Sequence, residues 1–353
     1  MLEFLSPARR IPNALSRRTP GTALLIGLSL LVSHERTSAA EPLRAGIIGC
    51  DTSHVPRFTE ALNSAPVDSP LHGIRVVAAF PGGSPDIPAS RDRVSQFTQE
   101  LREQGVEIVE SIDALLERVD VVLLESVDGR THLSQARPVF AARKPVFIDK
   151  PLAGSLADAV AIVQLAEQTK TPMFSSSALR YTPAIHAART DAELGTIVGC
   201  DAYSPCSLEP THPDLFWYGV HGVEVLFTLM GPDCRQVSRV QTDDGELVTG
   251  VWESGRIGTF RGLRAGRQDY GALVFGTQAI RSIQGFGGYE PLLEQIVRFF
   301  KTGKASLSAQ ETLAMFAFME AADESKRQGG RPVTLESVLA KARIQNAPAV
   351  ISK

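Results

Sequence analysis

Residues 46–55 read GIIGCDTSHV, and the way this stretch is read decides the fold. Three apolar residues run into Gly49, and a helical pattern follows from His54 through VPRFTEALN. A strand, a tight turn and a helix in this order open a dinucleotide-binding α/β unit, whose glycines allow the turn, the approach of the pyrophosphate and the packing of the helix. Gly49 fits the first role, but Asp51 and His54 hold the second and third glycine positions. Two readings follow. Asp51, Thr52 or Ser53 can cap the helix and occupy its free amides. Alternatively, His54 and the Thr52 and Ser53 hydroxyls supply donors to a diphosphate at the helix N-terminus.

Outward from this stretch the pattern repeats. LRAGIIG, GIRVVAAF, VDVVLLES, KPVFID and TPMFSS are short apolar runs, separated by amphipathic stretches such as SRDRVSQFTQELREQG and LADAVAIVQLAEQ. Continuous apolar runs between helices indicate a parallel sheet covered on both faces, and right-handed crossovers make it doubly wound. The fold class is therefore α/β, with a Rossmann-type sheet over residues 41–177. Beyond Arg180, CRQVSRVQT, GELVTGVWES, GRIGTFRGL and YGALVFGTQAIRSIQ are strands joined by short Gly/Asp turns. They predict a mostly antiparallel sheet flanked by helices, an α+β domain over residues 178–353.

The first forty residues stand apart. Arg9, Arg10, Arg17 and Arg18 precede TALLIGLSLLV, and small residues follow at Ser38 and Ala40, the layout of an export signal peptide. The apolar run is too short for a mature membrane helix, so no stable span is expected after cleavage. SRRTPG carries the paired arginines of the twin-arginine route, although Pro20-Gly21 interrupts the apolar continuation. The expected location is periplasmic or extracellular.

A formal net charge of -3 gives no field that gathers nucleic acid, and no basic run interleaved with aromatics appears. No CxxC or HxxxH cluster points to a metal site. Cys200 and Cys206 are spaced to close a short loop as a disulfide, or to lie buried as small hydrophobes.

The chemistry-bearing residues follow the fifth apolar run. In KPVFIDKPLAG, Asp149, Lys150 and Pro151 leave the carboxyl end of a strand, the edge at which such sheets bind ligands. Pro151 restricts the backbone of Lys150 and so helps to aim its ammonium. Past the second run, Asp86 and Arg91 are the nearest groups for a ribose or a 2′-phosphate.

IDKPLAG, GRTHLSQA, SALRYTPAI and WYGVHGVEVLFTLMG together resemble the Gfo/Idh/MocA family of NAD(P)-dependent sugar and cyclitol oxidoreductases, over nearly the whole mature chain. Asp149 stands for the Glu of the family's Glu-Lys-Pro motif, and His132 stands at the usual spacing before it. Arg180 and Pro183 match the segment that opens the second domain, and His221 and Gly231 match the histidine helix. Trp217 replaces the common Asp four residues before the histidine, and Glu224 replaces the Asp three after it.

The resemblance implies that Lys150 and His221 share the proton work at a secondary hydroxyl. It implies a nucleotide, NAD or NADP, tightly bound and held by Gly49, Asp51, Thr52, Ser53, His54, His132, Asp149 and Lys150. Arg180, Trp217 and Tyr218 are the candidate contacts to a carbohydrate-like substrate, with His212 and Asp214 nearby, and a homo-oligomer is expected. Other functions compete with this one: a carbohydrate-binding or interaction protein that has lost the nucleotide, a cofactor-free lyase or isomerase, and a redox-assisted glycosidase.

Overall fold

The structure is a computed structural model that describes residues 41–345. The expected leader and its export signals lie outside the described residues.

Six strands form the first sheet: β1 (Leu43–Ile48), β2 (Ile74–Phe80), β3 (Glu107–Ile108), β4 (Val121–Leu124), β5 (Val146–Ile148) and β6 (Met173–Phe174). Their order is β3-β2-β1-β4-β5-β6, and every pairing is parallel. This is the doubly wound order with its switch between β1 and β4, where ligands of such sheets bind. VVLL of β4 and VFI of β5 are buried at every position, as central parallel strands must be when both faces are covered.

The connecting helices are α1 (His54–Asn63), α2 (Pro88–Arg91), α3 (Val94–Glu103), α4 (Ile112–Leu116), α5 (Gly129–Ala141) and α6 (Leu156–Thr169). The single helix suggested by SRDRVSQFTQELREQG is broken between α2 and α3. A 3-10 turn (Ala178–Tyr181) and α7 (Pro183–Ala188) then lead to the second sheet.

That sheet holds β7 (Ile197–Pro205), β8 (Cys234–Thr242), β9 (Gly245–Trp252), β10 (Ile257–Leu263), β11 (Gly271–Gly276), β12 (Ile280–Gln284) and β13 (Val333–Thr334). Its order is β12-β11-β7-β10-β9-β8-β13, and β7 with β10 is the parallel pair in an otherwise antiparallel sheet. Burial alternates residue by residue along β9, as expected for a sheet covered on one face. The covering helices are α8 (Val220–Met230), α10 (Ala309–Arg327) and α11 (Leu335–Gln345). On α8, a Cβ at Gly222 would lie 2.2 Å from Phe260 Cε2 and 2.8 Å from Ser204 Oγ, so only glycine lets the helix approach β7 and β10 this closely.

The remaining helix, α9 (Glu290–Thr302), crosses back to the first sheet. Sequence order assigns it to the second domain, but its apolar face packs elsewhere. Leu292, Ile296 and Phe299 share a core with Ile47, Phe58 and Phe147, and the Phe299 ring meets Phe174 at 4.9 Å. The first sheet therefore takes part of its cover from residues 290–302.

Cys200 and Cys206 are free and buried. Six residues along one extended strand separate them by about 20 Å, far beyond the ~7 Å limit on Cα atoms of a disulfide. Cys200 lies within β7, and Cys206 follows directly after it, where its thiol donates to Glu246 Oε1 at 2.9 Å. Among the described residues, no helix is long and apolar enough to cross a membrane.

Candidate active site

The carboxyl ends of β1, β4 and β5 open into a cleft of about 470 Å³. From the first sheet, Thr52, Ser53 and His54 line it at the start of α1, with Val127 after β4 and Lys150 after β5. The opposite wall carries Ser177, Trp217, Tyr218, His221 and Tyr270. Lys150, His221, Trp217 and Tyr218 thus meet across one cavity.

Gly49 sits at the apex of the turn with φ +89, a conformation that costs glycine nothing. A Cβ there would lie 2.5 Å from the Ser126 amide nitrogen and 2.2 Å from Ser126 Oγ, so the turn is pressed against the connection after β4. Asp51 does not point at the amides of α1. Its Oδ1 accepts from the Val127 amide at 2.8 Å, and its Oδ2 accepts from Ser90 Oγ at 2.6 Å. Burial raises its pKa, and these two bonds oppose that shift.

No side chain caps α1 either, which removes the capping role considered for Asp51, Thr52 and Ser53. The helix N-terminus faces the cleft without a side-chain cap, its Val55 amide bonded to the Thr52 carbonyl at 3.3 Å, and the buried Thr52 Oγ1 has no hydrogen-bond partner among the described residues. Exposed Arg93 lines the same cleft. A helix N-terminus with no side-chain cap, an unspent hydroxyl and a guanidinium suit an anionic diphosphate. The residues present therefore fit a nucleotide despite the missing glycines.

His54 uses its Nδ1 on Asp149 Oδ2 at 2.8 Å. Burial disfavours the charged ring, but the charge of Asp149, its hydrogen bond and the Glu125 carboxylate 3.7 Å away outweigh burial and lift the pKa to about 9. Asp149 is fully buried behind the cleft floor, where it also accepts from the Lys150 amide at 2.8 Å. Against burial, His54 and Lys150 hold its carboxyl down at about 2. The Lys150 ammonium lies 3.9 Å from Asp149 Oδ2, and the Lys150–Pro151 peptide bond is cis.

His221 stands one residue into α8, just after a wide π-type turn over Leu215–Gly219. Its Nδ1 is 2.7 Å from Ser177 Oγ, and the Tyr218 ring packs edge-on at 4.9 Å. Although an edge of the imidazole reaches the cleft, protein surrounds the rest. Burial, then the Lys150 charge, hold its pKa well below the ordinary value. A neutral imidazole that donates from Nδ1 to Ser177 presents a free Nε2 lone pair. Tyr218 and Tyr270 join hydroxyl to hydroxyl at 2.8 Å beside it.

Several expected contacts lie elsewhere. His132 is fully buried, with Nε2 2.8 Å from the Ser126 carbonyl and Nδ1 3.2 Å from that of Leu152. It braces two connections behind the cleft and does not line it. Arg180 faces inward: Nε bonds Glu224 at 2.5 Å and Nη1 bonds Glu311 at 2.7 Å, leaving no part of the guanidinium for a substrate. Asp86 pairs with Arg130 and Arg91 with Asp92, both outside the cleft wall. Asp214 pairs with Arg239 and Lys326, while His212 Nε2 lies 3.2 Å from Asp128 Oδ1. Sequence reasoning missed Arg93, Ser177, Tyr270 and Glu125, which is fully buried beside His54 and Asp149.

Strand order and cleft position define a Rossmann-fold protein with its site at the sheet switch point. Residues 43–176 match the model of Gfo/Idh/MocA, an oxidoreductase family with an NAD-binding Rossmann fold. Solved structures share the fold across most of the chain. Scyllo-inositol dehydrogenase from Lactobacillus casei, with bound NAD(H) and scyllo-inositol, aligns at TM-score 0.67 and 14% identity, covering 84% of this chain and 100% of that one. An oxidoreductase from Agrobacterium radiobacter, in complex with NAD+, L-tartaric acid and magnesium, aligns at TM-score 0.67 and 17% identity, covering 84% and 99%. GenD2 from gentamicin A biosynthesis, in complex with NAD, aligns at TM-score 0.68 and 18% identity, covering 83% and 96%. No curated protein matches the sequence.

Proposed function

We propose that the chain is an NAD(P)-dependent oxidoreductase acting on a secondary hydroxyl of a sugar, cyclitol or sugar derivative. One observation carries this reading: Lys150 and His221 face the same cleft as the uncapped N-terminus of α1. A nicotinamide, when bound, supplies the hydride acceptor that no protein side chain can provide. Thr52, Ser53 and the N-terminus of α1 would hold its diphosphate, with Arg93 as a cationic group in the same cleft.

The chain's own residues do the proton work. His221, kept neutral by burial and by the Lys150 charge, accepts the hydroxyl proton at Nε2. Lys150 steadies the developing alkoxide with its ammonium, held near Asp149 on one side. Ser177 fixes the imidazole through Nδ1, and Trp217 and Tyr218 offer apolar faces to a sugar ring. A dehydrogenase of the same fold, solved with NAD(H) and scyllo-inositol, supports this choice of substrate class.

The leader-like first forty residues support export, with the nucleotide carried in tightly bound. The second sheet leaves Val198, Ile257, Leu273 and Ile280 exposed, which supports a homo-oligomer formed through that face.

Purification without added nucleotide, followed by mass spectrometry and near-ultraviolet absorbance, tests the reading. Bound nicotinamide nucleotide, or saturable binding of NAD or NADP on titration, is the expected result. The absence of both, no nucleotide carried through purification and no binding on titration, would refute it.

A further inference from the structure

Behind the cleft floor three side chains converge, each delivered by a different part of the first sheet's carboxyl edge. Glu125 follows β4, Asp149 follows β5, and His54 opens α1. His54 Nδ1, Asp149 Oδ2 and Glu125 Oε2 are mutually close: Nδ1 is 2.8 Å from the first oxygen and 3.7 Å from the second. Glu125 and Asp149 are completely buried, and His54 is 7% exposed.

Neither carboxylate oxygen of Glu125 has a hydrogen-bond partner among the described residues. A buried carboxylate left alone is too costly to persist as an ion, so it must hold a proton or rest against a cation. The nearest cationic group is the His54 ring. Phe58 stacks on that ring at 5.0 Å and Tyr289 meets its edge at 4.8 Å, which fixes its plane. With Nδ1 turned inward, Nε2 is the ring nitrogen left to serve the cleft that His54 lines.

We propose that Glu125 is a positioning residue that acts through His54: with Asp149 it holds the ring as an imidazolium, Nδ1–H toward the carboxylates and Nε2–H presented to an anion in the cleft. The identity of the anion rests on the nucleotide reading above, in which it is the diphosphate. A fixed cation then stands where the third glycine would have let the helix pack, and it offsets the loss of close backbone approach.

The titratable and charged groups that face this cluster are Asp149 and Lys150 from the β5 connection, Glu125 from β4, His221 from α8 and Tyr289 ahead of α9. Lys150 and His54 share one Asp149 oxygen, at 3.9 and 2.8 Å. This leaves Glu125 as the second acid that sustains the ring's charge. Burial and then Asp149 push the Glu125 carboxyl up toward its neutral form, and the imidazolium opposes that shift. The same three groups have the composition of a divalent-cation site. The Lys150 ammonium beside Asp149 opposes a second cation there.

The test follows the histidine rings of the full chain by nitrogen-15 and carbon-13 NMR across a pH titration, without nucleotide, with His54 assigned by its loss in His54→Gln. The wild-type ring should stay doubly protonated well above the ordinary imidazole range. In Glu125→Gln its midpoint should fall by about one pH unit or more, and Glu125→Asp should recover part of that shift. ADP-ribose is the second probe: His54→Gln should weaken its binding at least about tenfold, and wild-type binding should fade as the ring loses its proton.

An ordinary wild-type midpoint, or one that Glu125→Gln leaves in place, overturns the inference. So does a stoichiometric bound metal that stops the ring from titrating. If the midpoints behave as expected but no variant and no wild type binds ADP-ribose, the cluster stands and the nucleotide reading fails.

Discussion

The Asp51 carboxylate accepts a hydrogen bond from the Val127 amide at 2.8 Å, and this bond ties the turn after β1 to the connection after β4. An acid at a glycine position of the phosphate turn reads as repulsion toward a diphosphate. Here it faces sideways, its second oxygen is taken by Ser90, and it does not cap the helix. Asp51 is a brace of the turn.

Asp51→Ala should therefore destabilise the protein by about 2 kcal/mol or more, because a buried amide and a hydroxyl lose a charged partner. Urea unfolding measures this. Asp51→Gly, which restores the usual residue, should not tighten NAD binding in a calorimetric titration. A clear gain in affinity would show that the acid faces the nucleotide.

Lys150→Ala and His221→Ala should each lower sugar-dependent NAD reduction by at least about a hundredfold, the scale of a lost acid–base group. Nucleotide affinity should change little in His221→Ala. Steady-state kinetics alongside a binding titration separates the two effects. Either variant with full turnover removes that residue from the proton chemistry.

Arg180 makes the opposite case. Arg180→Ala leaves Glu224 buried without its partner and should cost about 3–5 kcal/mol, read by chemical denaturation. The double variant Arg180→Met with Glu224→Gln should recover much of that loss. In whichever variant folds, KM for the sugar should be unchanged, since the guanidinium does not face the cleft.

The buried cluster also sets a pH window. His54 titrates at about 9 in the folded protein against 6.5 unperturbed, so the stability it contributes is fully present below about 6.5 and is lost as pH rises through 9. Asp149 titrates at about 2, below the ordinary 3.8, so its contribution is present above about 3.8 and is lost as pH falls through 2. Unfolding free energy measured against pH should fall on the alkaline side in wild type, and this fall should flatten in His54→Gln.

Much of the architecture is legible in the sequence because central parallel strands advertise themselves. VVLL and VFI have no polar position to spare, and the residues that follow them, Glu125 and Asp149, mark the sheet's carboxyl edge. By the same logic Glu125 was available to inspection: it directly follows a fully apolar strand, as Asp149 does. Ser177, Tyr270 and Tyr289 carry no such signal, since each reaches the cleft through long-range folding. Arg180 and His132 show the converse limit. A residue type suited to a ligand is equally suited to a buried ion pair or to a pair of carbonyls, and only the three-dimensional surroundings decide between them.

Residues 290–302 form the wall that Phe147 and Ile47 need, yet they are translated more than a hundred positions after β6. The order of synthesis and the order of closure therefore differ. A fragment ending at residue 177 would present an oily sheet face to water, and a ribosome must release most of the chain before the first half can settle.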